Sequence, residues 1–248
     1  MWVIYILCLR QIKRYFRARA RVIGSLGQPL LFLLAMGFGF GPTFAKAGGG
    51  NYIQFLAPGI IAMGILFTAV FSGIEIIWDR QFGFLKETLV APVSRLQIVL
   101  GRTIGGATVA LIQGLFVFLA CLIVGFRVET LSLLPIALIF MILISMLFTA
   151  IGTIVGSVLE DMQAFPLIMN FLVMPLFFFS GAIFPITGLP RVLTIAIHFN
   201  PLTYGVDGLR GALSHEFVFG MGFDFIVLVI LTMILLAIGS YFFSRIQL

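Results

Sequence analysis

Residues 198–213 read HFNPLTYGVDGLRGAL. On this stretch turns whether the chain is a plain bundle of crossing helices or carries a further layer. Asn200 is a natural helix cap, and Pro201 suits the first helical position, where its missing N–H does no harm. Asp207 and Arg210 stand three apart on one helical face and can pair there. Just upstream, Pro185 and Pro190 bracket a turn, and RVLTIAI at 191–197 can form one short helix. Both helices are too short and too polar to cross lipid, yet too apolar for a solvated loop. Non-spanning helical backbone at membrane depth survives only when packed in protein or lining an aqueous cavity. Residues 185–219 therefore read as an outer re-entrant helical hairpin, a lid or gate lining.

The rest of the chain supplies the membrane. Of its 248 residues 61% are hydrophobic and 10% charged, where a soluble domain averages about a quarter charged. There is too little polar surface for a globule in water. A crossing helix needs about 20 mostly apolar residues, and six stretches qualify: 22–41, 52–77, 98–126, 131–159, 162–184 and 222–243. Only RVET separates the third from the fourth, so those two form a tight hairpin. The expected fold is all-α: six transmembrane helices in one domain, with re-entrant helices between spans 5 and 6.

Residues 1–21 precede the first crossing. At 100° per residue, Arg10, Lys13, Arg14, Arg17 and Arg21 share one face, and Ile4, Tyr5, Cys8, Leu9, Ile12, Tyr15 and Phe16 the opposite arc. This is a basic amphipathic helix suited to the membrane interface. With the N-terminus in the cytoplasm, eleven basic residues lie on the cytoplasmic side: Arg10, Lys13, Arg14, Arg17, Arg19, Arg21, Arg80, Lys86, Arg95, Arg102 and Arg245. Four lie outside: Lys46, Arg127, Arg191 and Arg210. The bias predicts both termini in the cytoplasm. It also accounts for the net charge of +6 without nucleic acid.

Little in the chain points to catalysis. Cys8 and Cys121 are far apart, His198 and His215 lack metal spacing, and no GxxxxGK[ST] phosphate loop occurs. Attention falls instead on the polar connection at 78–97. Trp78 marks an interfacial belt, Ala91-Pro92 stops a short helical run, and Ser94 with Gln97 makes a capping box for the next span. Phe82, Phe84, Leu85, Leu89 and Val90 give this loop an apolar content suited to docking on a partner protein or on lipid. Glu75 and Arg102, near the ends of spans 2 and 3, are expected to form an interfacial charge pair, since charges within membrane helices need partners.

FPITGLPRVLTIAIHFNPLTYGVDGLRGAL at 184–213 resembles the C-terminal signature of ABC-2 type exporter permeases, the drug-resistance and lipo-oligosaccharide branch in particular. RQFGFLKETLVAPVSRLQIVLGR at 80–102 resembles the inner loop of the same family. The likeness runs over essentially the full length. It implies a transmembrane subunit in the cytoplasmic membrane, pairing with a second permease copy and two separate ATPase subunits. ATP and Mg would bind those ATPases, with no cofactor on this chain. It implies a connecting helix around 4–19 and a coupling helix within 84–90, so that Phe82, Phe84, Leu85, Lys86, Glu87, Leu89 and Val90 contact the ATPase. Pro185, Asn200, Pro201, Tyr204, Asp207 and Arg210 would belong to the outer gate. Spans 2 and 5 would line the path with Phe55, Met63, Phe67, Phe71, Met169, Phe171, Met174, Phe177 and Phe178, a greasy seam suited to a hydrophobic or amphiphilic cargo. The alternative is a secondary transporter or channel without an ATPase.

Overall fold

A computed structural model describes residues 2–48, 50–84, 94–186 and 188–244, and every regular element among them is helical. In chain order these are α1 (Trp2–Arg17), α2 (Arg19–Lys46), α3 (Tyr52–Phe71), α4 (Ile74–Gln81), α5 (Arg95–Val124), α6 (Leu134–Val158, after a 3₁₀ turn at Leu131–Leu133), α7 (Ala164–Phe178), α8 (Arg191–Phe199), α9 (Pro201–Ser214) and α10 (Met221–Ser244).

Five segments are long and apolar enough to cross a membrane: Val22–Lys46, Tyr52–Gln81, Arg95–Val124, Leu131–Val158 and Met221–Phe243. α3 is their buried axis, with Leu56, Ile60, Ile61, Met63, Ile65 and Leu66 wholly enclosed. α2, α5, α6 and α9 pack around it. α10 leaves Phe223, Ile226, Ile230 and Met233 outward, the apolar exterior that lipid requires. Gly125, left-handed at φ 117°, ends α5 as Phe126 N–H donates back to Cys121 O. This cap turns the chain toward α6.

The second crossing is not one helix. It breaks at Ser72–Gly73, where a Cβ on Gly73 would sit 2.0 Å from Gly152 O. Gly73, Gly152 and Gly156 together let these backbones touch, and the contact holds the break against α6.

The fifth crossing differs from its expected extent of 162–184. α7 is a 15-residue helix, about 22 Å of rise, and hydropathy alone could not reveal why it stops. After Phe178 the chain turns through Ser180 and Gly181, the latter at φ 73°. Ala182 and Ile183 remain buried against α3. The freed backbone groups find partners: Ser180 Oγ donates to Phe177 O at 2.7 Å, and Tyr52 Oη donates to Ile183 O at 2.8 Å. A helix can end inside an apolar bundle only with such replacements.

Candidate functional site

Two polar clusters stand at opposite ends of the Tyr52–Gln81 segment, one around Asp79 and one around Phe55. Residues 55 and 79 are separated by about 36 Å of helical rise, comparable to the roughly 30 Å of hydrocarbon in a bilayer.

The first cluster begins with two glycines. α1 lies across α5 because Gly101 and Gly105 are bare. A Cβ on Gly101 would meet Ile4 Cα at 3.1 Å, and one on Gly105 would meet Cys8 Cα at 3.0 Å. This is the small-xxx-small spacing that brings two helices close. The close approach carries Arg10 to Asp79 on α4. Arg10 Nη2 donates to Oδ1 at 2.9 Å and Nη1 to Oδ2 at 3.2 Å, while Arg102 Nη2 from α5 donates to Oδ2 at 2.7 Å. Asp79 and Arg102 are 5% and 4% exposed, so three helices meet on one buried carboxylate. Arg14 stacks over Trp78 at 4.8 Å and reaches Glu75 at 3.9 Å. Tyr15 donates its hydroxyl to the buried Gln113 of α5, and burial raises its phenol above the ordinary 10.0.

This arrangement corrects two expectations. Arg102 forms its ion pair with Asp79, one turn beyond Glu75, because the register of α4 against α5 brings Asp79 within bonding distance. The apolar arc of α1 is not all lipid-facing either. Of that arc Tyr15 is buried and Ile4 and Cys8 lie against the glycines of α5, while Tyr5 and Phe16 stay exposed; Leu7, outside it, is buried too.

Beside this cluster is a cavity of about 460 Å³. Its polar wall is Gln11, Tyr15, Gln28, Thr68, Glu75 and Asn170, and Pro29, Phe67 and Phe71 supply the apolar one. Six helices contribute, α1 to α5 and, through Asn170, α7.

At the opposite end α9 is buried along its whole length, from Leu202 to Ser214. Asn200 caps it by accepting from Leu202 N–H at 3.0 Å, and its amide also donates to Leu176 O at 2.6 Å. Tyr204 donates its hydroxyl to His198 O at 2.7 Å, holding α8 and α9 together. Asp207 and Arg210 form no ion pair within 4 Å, contrary to the expectation from their spacing. Each is claimed by main chain instead. The Asp207 carboxylate accepts from Val218 N–H and Phe219 N–H at 2.8–3.0 Å. Arg210 donates to Gly181 O at 2.9 Å and Phe55 O at 3.3 Å and lies 4.0 Å over the Phe55 ring. Burial lowers its guanidinium to about 10, with Asp207 and Glu216 opposing the shift, so it stays charged at neutral pH. One Asp-x-x-Arg thus ties α9 to the loop before α10, the turn after α7 and the start of α3.

The remaining expected residues fall in three groups. Phe67 and Phe71 line the cavity, whereas Met63 and Met169 are fully buried packing residues. Phe177 is buried as well, Met174 is half-buried, Pro185 lies exposed in coil, and Phe171 and Phe178 face outward. Phe82 and Phe84 belong to the described part of the 78–97 connection, which resumes at Ser94. Leu85, Lys86, Glu87, Leu89 and Val90 lie outside the described residues, as does Arg245, and the side chain of Arg21 likewise. Sequence reasoning missed Asp79 as the hub, Tyr52 and Gly181 as the α7 terminator, and Asp224. The last is fully buried beside Asp207. A lone acid in the first turn of an otherwise apolar span was the signal for it.

A family model described as ABC-2 type transporter matches residues 3–214, from α1 through the last residue of α9. The chain belongs to the ABC-2 type transporter permease family. Its similarity to curated relatives agrees. It is 32% identical over 195 residues to Nodulation protein J of Rhizobium leguminosarum bv. trifolii, covering 78% of this chain and 74% of that one. It is 30% identical over 216 residues to the putative transport permease ycf38 of Cyanophora paradoxa, covering 83% and 73%, and 31% identical to that of Porphyra purpurea, covering 81% and 70%. With its apolar spans, this ABC-2 permease is a multi-pass membrane protein. The matched region holds the Asp79 cluster, the whole of the cavity lining, and Asp207 and Arg210 of the second cluster, whose Val218 and Phe219 amides lie just beyond it.

Proposed function

We propose that this permease is the transmembrane half of an ATP-driven exporter in the cytoplasmic membrane, working as a pair of copies above two separate ATPase subunits. The Asp79 end faces the cytoplasm with both termini, and the α8–α9 cap faces outward. ATP and Mg act on the ATPases. Their closure pushes on the 78–97 connection, and the push reaches the spans through Asp79, where α1, α4 and α5 are joined. Access then alternates between two conformations. The observation that carries this reading is the family match over residues 3–214, which takes in the connection and the cap together.

The cavity supports an amphiphilic cargo. Its volume suits a small molecule or one end of a lipid, and its wall is divided between aromatic carbons and amides and hydroxyls, with Glu75 as its one carboxylate among the described lining residues. A second permease copy fits the outward face of α7, where Leu167 and Phe171 are 73% and 85% exposed. A secondary transporter is favoured less, since it calls for charges in mid-membrane. Here Asp79 and Arg102 gather at one end, and Asp207 and Arg210 at the other.

The test is a charge placed in the connection. Leu85→Asp or Leu89→Asp should leave the permease folded and abolish its stimulation of ATP hydrolysis by the partner subunit. Full stimulation by both variants would remove the docking role.

A further inference from the structure

α1 carries more positive charge than the Asp79 cluster uses. A groove of about 890 Å³ opens between α1 and the end of α4. One wall holds Arg10, Lys13, Arg14 and Arg17, and the other Trp78 and Phe82. Arg10 is committed to Asp79 and Arg14 to Glu75 and the Trp78 ring. Lys13 and Arg17, one turn apart, are both exposed and make no ion pair with a described carboxylate. Among the described lining residues Asp79 is the one acid, and it already faces two guanidiniums.

We propose that this groove binds the phosphate headgroup of an anionic phospholipid from the leaflet on the α1 side, with Lys13 and Arg17 as its ligands. The chemistry is a phosphodiester seated between two cations, its glycerol edge against Trp78. The neighbouring strip of α1 selects lipid over a soluble acidic partner. At 100° per residue, Trp2 lies about 20° from Lys13 round the helix, and Tyr5 and Phe16 about 80° and 60° away, at the edge where the apolar arc borders the basic face. They are 79%, 60% and 48% exposed. A phospholipid satisfies both strips, its phosphate on the basic one and its acyl chains along the aromatic one. An acidic protein surface would leave those three aromatics in water. Trp78 lies near the end of the Tyr52–Gln81 segment, the part of a span where indole rings commonly meet headgroups.

The proposal concerns the permease alone and does not depend on the ATPase reading. Purified full-length permease in neutral detergent is titrated with short-chain phosphatidylglycerol, short-chain phosphatidylcholine and inorganic phosphate, and bound lipid is counted by native mass spectrometry. Phosphatidylglycerol should bind, and phosphatidylcholine and inorganic phosphate should bind far more weakly. Lys13→Gln with Arg17→Gln should weaken phosphatidylglycerol about 30-fold, or about fivefold for each charge lost. Lys46→Gln with Arg191→Gln, an equal loss of charge elsewhere, should leave it unchanged. Equal binding of the two lipids overturns the proposal, as does unchanged affinity in the Lys13/Arg17 variant. Inorganic phosphate binding as tightly as phosphatidylglycerol overturns it in favour of a free-anion site. A Lys13/Arg17 variant that keeps its lipid but no longer co-purifies with the ATPase overturns it in favour of a protein contact.

Discussion

Replacing Asp79 with alanine should be among the most damaging single substitutions in the chain. The carboxylate is shared by Arg102, 4% exposed, and by Arg10, whose side chain is 35% exposed. Without Asp79, Arg10 can turn to water, but Arg102 is left as a buried cation without its ion-pair partner. Removing one partner of a buried pair costs about 3–5 kcal/mol. At about 2–4 °C per kcal/mol for a chain of this size, the melting temperature of the detergent-solubilised permease should fall by about 6–20 °C. Arg10→Ala should cost about 1–2 kcal/mol, between the figures for exposed and buried pairs. The decisive variant is Asp79→Ala with Arg102→Met. An apolar replacement of a buried pair is often close to neutral, so the double variant should recover most of the loss. The assay is fluorescence-detected size-exclusion thermostability on all four proteins. A double variant as unstable as Asp79→Ala, or an Asp79→Ala variant within about 1 kcal/mol of the parent, would refute the hub.

Other expectations concern the remaining contacts. Gly105→Leu should cost about 1–3 kcal/mol by overpacking and expose α1 to trypsin, because its Cβ would already sit 2.6 Å from Gln11 Oε1; unchanged protection would contradict the packing. Asn200→Ala should cost about 1 kcal/mol for the lost cap and more for the orphaned Leu176 carbonyl, read as a lower melting temperature. Asp207→Ala strands two backbone N–H groups, at about 1–3 kcal/mol each, and should alter transport while co-purification with the ATPase persists. Because burial raises the Tyr15 phenol, its neutral form contributes docking strength that is complete below pH 10.0 and lost as pH rises past its folded value. Tryptic protection of α1 should therefore weaken above pH 10.0, and Tyr15→Phe should abolish that dependence.

How much of this was legible depended on how local each signal was. Asn200–Pro201 could be read because cap and first turn are adjacent in sequence, and the cap forms as expected. The capping box at Ser94 likewise shows its Ser94 acceptor bond to Gln97 N–H. Hydropathy found each apolar segment but not where α7 stops, since Ser180 and Gly181 are as compatible with an apolar run as with a turn. The glycines at 101 and 105 carried no meaning until α1 lay across them. Asp207 and Arg210 share a face, yet helical adjacency lost to stronger competitors, the backbone groups of three other segments. Glu75 and Asp79 are one turn apart on α4, and only helix register could choose between them as the partner of Arg102.

Transport in sealed proteoliposomes tests the central claim most directly. The permease is reconstituted with and without its cognate ATPase subunit, and movement of a fluorescent amphiphile is followed with and without ATP and Mg. The account predicts movement only when permease, ATPase and nucleotide are all present. Equal movement by the permease alone would contradict it.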